Sequence, residues 1–116
     1  MRQNDILSVI DGAHTIGQIP LDLKEIDPDF YVTNCHKWLY TPRGSAILYV
    51  PYKNQKGIHP AVTSLFLHQG FVPEFSWFGT QDFPAVISMY FFFITSNLSN
   101  NIINHNHLVV NIIIII

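Results

Sequence analysis

The sequence predicts an α/β fold, because short apolar runs alternate with segments whose composition favours turns and short helices. Three runs carry this pattern: ILSVI at Ile6–Ile10, DFYVTN at Asp29–Asn34 and SAILYV at Ser45–Val50. The 116 residues set one small domain as the upper limit, with room for a modest hydrophobic core.

The first two runs are joined by a segment of helical character. Ile6–Ile10 is apolar without alternation, which is typical of a strand buried on both faces, and it stops abruptly at DGAH. The segment LDLKEIDP, residues 21–28, predicts one or two helical turns. Pro28 ends them, because proline cannot continue a helix.

A turn precedes the third strand. In TPRG, residues 41–44, Pro42 and Gly44 account for the shape of the turn, so Arg43 is expected only to be solvated. The strands predicted on either side are Asp29–Asn34 and Ser45–Val50. Three strands with so little helix cannot cover both faces of an α/β sheet, so we expect part of a larger structure.

The chain changes character after Asp82. Every Asp, Glu, Lys and Arg lies at or before this residue, and the remainder is dominated by Ile, Asn and Phe. Such a composition offers no charged face for a soluble helix. We therefore expect residues 1–88 to form the domain and residues 89–116 to be a low-complexity apolar tail outside the fold, for instance translated non-coding sequence joined to a coding segment.

Composition and charge exclude several classes of function. Six Lys and Arg against eight Asp and Glu give a formal charge of −2, so no basic face is expected to bind nucleic acid. A membrane span needs about 20 mostly apolar residues, and SNLSNN and NHNH interrupt the tail, so no membrane partner is expected. The single cysteine, Cys35, and the absence of a leader pattern at Met1–Ile10 favour a cytoplasmic location.

Two charged residues lie at or just beyond the ends of predicted strands. Asp11 comes after the first strand, and Lys37 comes after the second, 37 − 11 = 26 residues later. Ligands of open α/β sheets collect beyond the carboxyl ends of the strands, so the carboxylate and the amine can face one cavity. Gly12 permits a tight backbone beside the carboxylate.

These residues lie within a longer resemblance. DGAHTIGQIPLDLKEIDPDFYVTNCHKWLYTPRGSAILYV, followed by EFSWFGTQD, resembles the central segment of the class V aminotransferase family of pyridoxal-phosphate (PLP) enzymes, in its isopenicillin-N-epimerase-like branch. The resemblance covers roughly residues 5–88. It implies part of the large domain of a fold type I PLP-dependent transferase with an incomplete mixed sheet, an amino-acid substrate, and a homodimer that shares its active sites.

The resemblance implies roles for six residues. Lys37 matches the lysine that holds PLP as a Schiff base, and Asp11 matches the carboxylate that keeps the pyridine nitrogen protonated. An amine attacks a carbonyl only when it is neutral, which explains an apolar setting for this lysine. His14 matches the position that hydrogen-bonds the ring oxygen of PLP.

The other three residues match positions near the cofactor phosphate. Asn34 and His36 flank Cys35, and Asn34 stands where many relatives have serine. Thr80, in WFGTQD, matches a threonine that reaches the phosphate of the neighbouring subunit's PLP. The loop that grips the phosphate and the aromatic side chain that stacks on the ring have no counterpart in this sequence, so weak cofactor binding is expected.

Several alternatives stay open at this stage. Asp11–Gly12 is also compatible with an ordinary turn, and Lys37 with a surface lysine whose stem packs on apolar neighbours. The whole chain is also compatible with a truncated, non-catalytic remnant of such an enzyme. A metal site built from His14, His36, His59 and Cys35 lacks the compact ligand spacing of zinc sites. A packed, unreactive thiol is the favoured interpretation of Cys35.

Overall fold

The computed structural model describes residues 6–77, 79–80, 83–98 and 112–115. The described chain has an α/β architecture, which confirms the predicted class, and each of the three predicted strands and the first helix is present. The elements in chain order are β1 (Val9–Asp11), α1 (Leu23–Ile26), β2 (Phe30–Asn34), α2 (Cys35–Trp38), β3 (Ala46–Tyr49), a 3-10 turn (Tyr52–Asn54), α3 (Phe71–Ser76), α4 (Phe83–Leu98) and β4 (Ile112–Ile115).

The strands of the described chain form one mixed sheet in the order β1-β2-β3-β4. Strands β1 and β2 are parallel, with Asp11 opposite Val32, whereas β3 runs antiparallel to β2, with Ala46 opposite Asn34. β4 pairs antiparallel with the other side of β3. Because β1 and β2 are parallel, their carboxyl ends meet at one edge of the sheet, which we call the carboxyl edge.

Helix α1 is short because both of its ends are capped within one turn. The side chain of Asp22 accepts hydrogen bonds from the backbone N–H groups of Lys24 and Glu25, at 2.8 and 3.1 Å. At the other end Asp27 adopts the left-handed conformation, with φ of 47°, and its N–H donates to the carbonyl of Leu23. Pro28 follows, as the sequence predicts, and the chain returns to the sheet.

Two hydrophobic clusters lie on opposite faces of the sheet, because successive residues of a strand point to opposite sides. Ile47 belongs to the first cluster, and its neighbour Leu48 packs against the second. The other members of the first cluster are Ile16, Cys35, Leu39 and Met89, with Phe92 packed against it. Val50 and Phe71 form the buried centre of the second, with Phe30, Ile58 and Phe75 around it.

The expected burial of the first strand on both faces is wrong for the described chain. Val9 is 72% exposed and Asp11 is exposed, while Ile10 between them is half-buried. β1 is the outermost strand of the described sheet and pairs with β2 alone, so neither face of it is fully covered. The strand also begins at Val9 rather than at Ile6.

The predicted boundary between residues 88 and 89 falls inside helix α4. Met89 is only 1% exposed and packs in the first cluster, whereas Ile87, Tyr90 and Phe91 are exposed. The assignment of residues 89–116 to a non-family tail stays a prediction. No helix in the described part of the chain combines the length and apolar character that crossing a membrane requires.

Candidate active site

A tight turn carries the chain out of β1 at the carboxyl edge. The N–H of Gly12 donates to the carbonyl of Val32 at 2.8 Å, which extends the ladder between β1 and β2 by one bond. The Oδ1 atom of Asp11 accepts a 3.0 Å hydrogen bond from the N–H of Ala13, and the N–H of Thr15 donates to the carbonyl of Gly12. The turn therefore holds the Asp11 carboxylate at the strand end, exposed to solvent.

Three side chains of the described protein hold this turn in place through hydrogen bonds. The hydroxyl groups of Thr33 and Thr15 donate to the carbonyl of Gly12, at 2.7 and 2.8 Å. The Tyr31 hydroxyl is hydrogen-bonded to Thr15 Oγ1, and since the Thr15 proton is already used, Tyr31 is the donor. A Cβ atom at residue 12 would overlap the ring of Tyr31, so only glycine fits there.

Helix α2 begins directly after β2. The N–H of Cys35 donates to the carbonyl of Ser45 at 3.0 Å, which ties the start of the helix to β3. Cys35 and Leu39, four residues apart, are both buried in the first cluster, so this side of the helical turn faces the core. Burial raises the pKa of the Cys35 thiol to about 12, and its Sγ atom lies 3.5 Å from Met89 Sδ.

The amine predicted to be catalytic contacts the turn after β1. Lys37 Nζ lies 3.2 Å from His14 Nε2, and the indole N–H of Trp38 donates to His14 Nδ1 at 3.3 Å. The imidazole of His14 thus lies between two side chains of α2, with its ring edge-on to the indole. Asp11, three residues before His14, lies at the start of the same turn.

The structure shows fewer contacts for the other three predicted site residues. His36 is half-buried, and its Nδ1 atom is buried with no hydrogen-bond partner among the described residues. Asn34 occupies the N-cap position of α2, and its side chain makes no capping bond. Thr80 is exposed, and within the described ranges it has no hydrogen bond to the other five predicted residues.

A second polar cluster is formed by other described residues. His59 Nδ1 is 2.6 Å from Glu74 Oε2, the N–H of His68 donates to Glu74 Oε1, and the two histidine rings meet edge-on. The hydrogen bond from His59 lowers the pKa of the buried Glu74 carboxyl. Among the described residues, no group of three or more His, Cys, Asp or Glu side chains could hold a metal ion.

Sequence reasoning missed the residues that hold the site together. In the sequence, Trp38 stands out only as the neighbour of Lys37. An indole N–H one position from a polar site residue nevertheless indicates a possible hydrogen-bond donor to the site. Tyr31 and Thr33 alternate with half-buried residues along β2, and this alternation predicts that they share one face of the sheet. It does not indicate that Thr33 bonds to the carbonyl of Gly12.

Comparison with known proteins places the chain in a family. The chain is 45% identical over 69 residues to the L-cysteine desulfhydrase-like protein lolT2 of Epichloe uncinata. The aligned segment makes up 60% of this chain and 14% of that protein. It is 46% identical over 70 residues to the hercynylcysteine sulfoxide lyase of Schizosaccharomyces pombe, covering 60% and 17%.

A third relative confirms the predicted resemblance to isopenicillin N epimerase. The isopenicillin N epimerase of Streptomyces clavuligerus is 38% identical over 63 residues, which covers 54% of this chain and 16% of that protein. The chain therefore spans about one sixth of the length of these three relatives. The model of the family described as aminotransferase class-V matches residues 1–69, more than half of the chain, and the protein belongs to this family.

Proposed function

We propose that this chain carries the cofactor-anchoring segment of a PLP-dependent enzyme that acts on an amino acid, with Lys37 as the amine that condenses with the aldehyde of PLP. The observation that carries the proposal is the 3.2 Å contact between Lys37 Nζ and His14 Nε2 at the carboxyl edge. It joins the helix after β2 to the turn that begins with Asp11. When bound, PLP supplies an electron sink for the α-carbon of the substrate.

The residues present fit such a cofactor. Asp11 offers an exposed carboxylate that can keep a pyridine nitrogen protonated, and its orientation is fixed by the hydrogen bond from Ala13. His14 offers an imidazole nitrogen beside the amine for the ring oxygen. The buried, unpartnered Nδ1 of His36 supports a polar contact next to Lys37, and we assign His36 and Asn34 to the phosphate.

Among the possible reactions, we place a lyase that acts on a sulfur-containing amino acid first. The support is that the desulfhydrase-like protein and the sulfoxide lyase are 45% and 46% identical to this chain, compared with 38% for the epimerase. An epimerase or a transferase is the second candidate, because PLP supports each of these reactions. The groups that choose which bond breaks determine the outcome.

In the same proposal, two copies of the enzyme pair and Thr80 reaches the phosphate of the partner's PLP. Its exposure supports a role outside its own chain. Covalent cross-linking of the purified chain, with and without PLP, tests the pairing. A dimer that increases with PLP in the wild type but not in Thr80→Ala is expected, and a monomer under both conditions contradicts it.

The anchoring lysine can be tested even if binding is weak, because borohydride reduction makes the bond between PLP and an amine permanent. The purified chain is incubated with PLP, reduced and analysed by peptide mass spectrometry. Lys37 should be modified well before Lys56, which is exposed and makes no side-chain hydrogen bond or ion pair in the described chain. Lys37→Ala should abolish the visible absorbance of the complex, and the matched control Lys56→Ala should retain it.

The opposite outcome identifies the alternative. If Lys37 and Lys56 are modified at equal rates, and if Lys37→Ala leaves the spectrum unchanged, PLP reacts only as a free aldehyde with surface amines. The chain is then a remnant that keeps the motif residues without assembling a cofactor site.

A further inference from the structure

The hydrogen bonds of His14 determine where its proton lies. An indole N–H is a donor only, so the 3.3 Å contact from Trp38 Nε1 requires His14 Nδ1 to be an unprotonated acceptor. A neutral imidazole with a bare Nδ1 carries its proton on Nε2. The Nε2 atom that faces Lys37 is therefore a donor.

This assignment constrains the lysine in turn. An ammonium group has three donors and no lone pair, so it cannot accept a bond from the N–H on Nε2. The 3.2 Å contact between Nε2 and Lys37 Nζ is satisfied only when the amine is neutral and accepts. With a neutral amine, the chain of bonds would run from Trp38 through His14 to Lys37 Nζ.

Without the indole donor, a second arrangement of protons can satisfy the same contact. His14 is then free to carry its proton on Nδ1, and Nε2 becomes an acceptor for the ammonium form of Lys37. That form has no lone pair and does not attack a carbonyl. The N–H of Trp38 therefore disfavours the unreactive arrangement through its hydrogen bond to His14.

We propose that Trp38 is a positioning residue that fixes the tautomer of His14, so that Nε2 donates toward the reactive amine of Lys37. The use of this amine in cofactor binding rests on the proposed function, whereas the tautomer is a property of the free chain. Trp38 is 39% exposed, so its indole is held by α2 beside the site rather than by burial in the core. In the proposed function, the same Nε2 donor would hold the ring oxygen of PLP.

The test compares Trp38→Phe, which keeps the aromatic ring and removes the N–H, with Trp77→Phe. Trp77 is the other tryptophan of the chain, and it stacks on Phe83 instead. Nitrogen-15 NMR of labelled protein without PLP reports the protonation of His14 Nδ1 and Nε2, with His14→Ala used for assignment. Borohydride trapping with PLP measures the rate at which Lys37 is modified.

In the wild type and in Trp77→Phe, we expect Nδ1 to be unprotonated and Nε2 to be protonated. In Trp38→Phe, the two tautomers should mix, and Lys37 should be modified about 2- to 10-fold more slowly, the effect of one hydrogen bond. In a His14→Ala background, Trp38→Phe should change the rate no further, because the bond it acts through is gone.

Two results would overturn the proposal. One is a proton on Nδ1 in the wild type, and the other is an unchanged His14 tautomer in Trp38→Phe, whatever that variant does to stability. If the tautomer shifts as expected but Lys37 is never trapped selectively, the proposed function fails and the role of Trp38 in setting the tautomer stands. The two failures are therefore distinguishable.

Discussion

Thr33 donates a 2.7 Å hydrogen bond to the carbonyl of Gly12, across 21 positions of sequence. Thr33 is 1% exposed, so this bond ties the carboxyl end of β2 to the turn that follows β1 inside the core. Gly12 links Asp11 to the segment that carries His14. The position of both predicted site residues therefore depends on a hydroxyl that no ligand would touch.

Thr33→Val, which has nearly the same shape, should lower the free energy of unfolding by about 1 kcal/mol. The Gly12 carbonyl keeps its bonds from Thr15, so the loss should not exceed that of one buried hydrogen bond. Urea unfolding gives the value. Thr63→Val is the matched control, because Thr63 is exposed, and it should change stability by less than about 0.5 kcal/mol. Equal effects of the two variants would contradict the role of Thr33.

Gly12→Ala should destabilise the protein by about 1–3 kcal/mol, because the new methyl group overlaps the buried Tyr31 ring and the ring cannot move without disturbing β2. Thermal unfolding followed by circular dichroism measures the loss. The cost should be smaller when Gly12→Ala is introduced into a Tyr31→Leu background, where the ring is absent. A cost that is the same in both backgrounds would show that the backbone at residue 12, rather than the ring, excludes a side chain.

The thiol of Cys35 should be unreactive in the folded protein. Its side chain is 0% exposed, and only a thiolate reacts with alkylating reagents. Because burial raises the pKa to about 12, roughly one thiol in ten thousand is ionised at pH 8. Iodoacetamide labelling in native buffer should therefore be far slower than in urea, where the single cysteine gives the full signal. Labelling at the urea rate in native buffer would mean that α2 is not packed on the sheet.

The strands and the strand-end position of the site could be predicted from the sequence because they depend on local patterns. The apolar runs and the proline after α1 are sufficient to place β1, β2 and the segment between them. The rule that ligand groups collect at the carboxyl ends of parallel strands then brings the Asp11 turn and Lys37 to one edge. The rule does not specify which side chains touch, so the contact between His14 and Lys37 is seen only in the structure.

The rest could not be predicted because it depends on contacts distant in sequence. Helix α2 has only four residues, and its first N–H is paired with Ser45, the residue before β3. The pairing of His59 with Glu74 spans 15 positions that contain no regular pattern. The exposure of Val9 depends on which strand lies at the edge of the sheet, and an apolar run of five residues does not contain that information.

The amino ends of β1 and β2 are joined by Asp29. Its Oδ2 atom accepts hydrogen bonds from the N–H and hydroxyl of Ser8, at 2.9 and 3.1 Å, and Oδ1 accepts one from Asn54. Lys53 Nζ lies 3.7 Å from Oδ1. The pKa of Asp29 is lowered from 3.8 to about 2. The largest cause is the hydrogen bond from the backbone of Ser8, followed by the one from the side chain of Asn54.

Because the pKa of Asp29 is lower in the folded chain than in the unfolded chain, its contribution to stability is present above pH 3.8 and is lost as the pH falls toward about 2. Asp29→Asn should therefore lower stability at neutral pH and flatten its dependence on pH across this window. Urea unfolding at a series of pH values measures the slope. Asn54→Ala removes one donor and should give an intermediate slope, since the bonds from Ser8 remain. A slope in Asp29→Asn equal to that of the wild type would show that the acid sensitivity arises from other carboxylates. Glu74 is the first of these to test, because the hydrogen bond from His59 lowers its pKa.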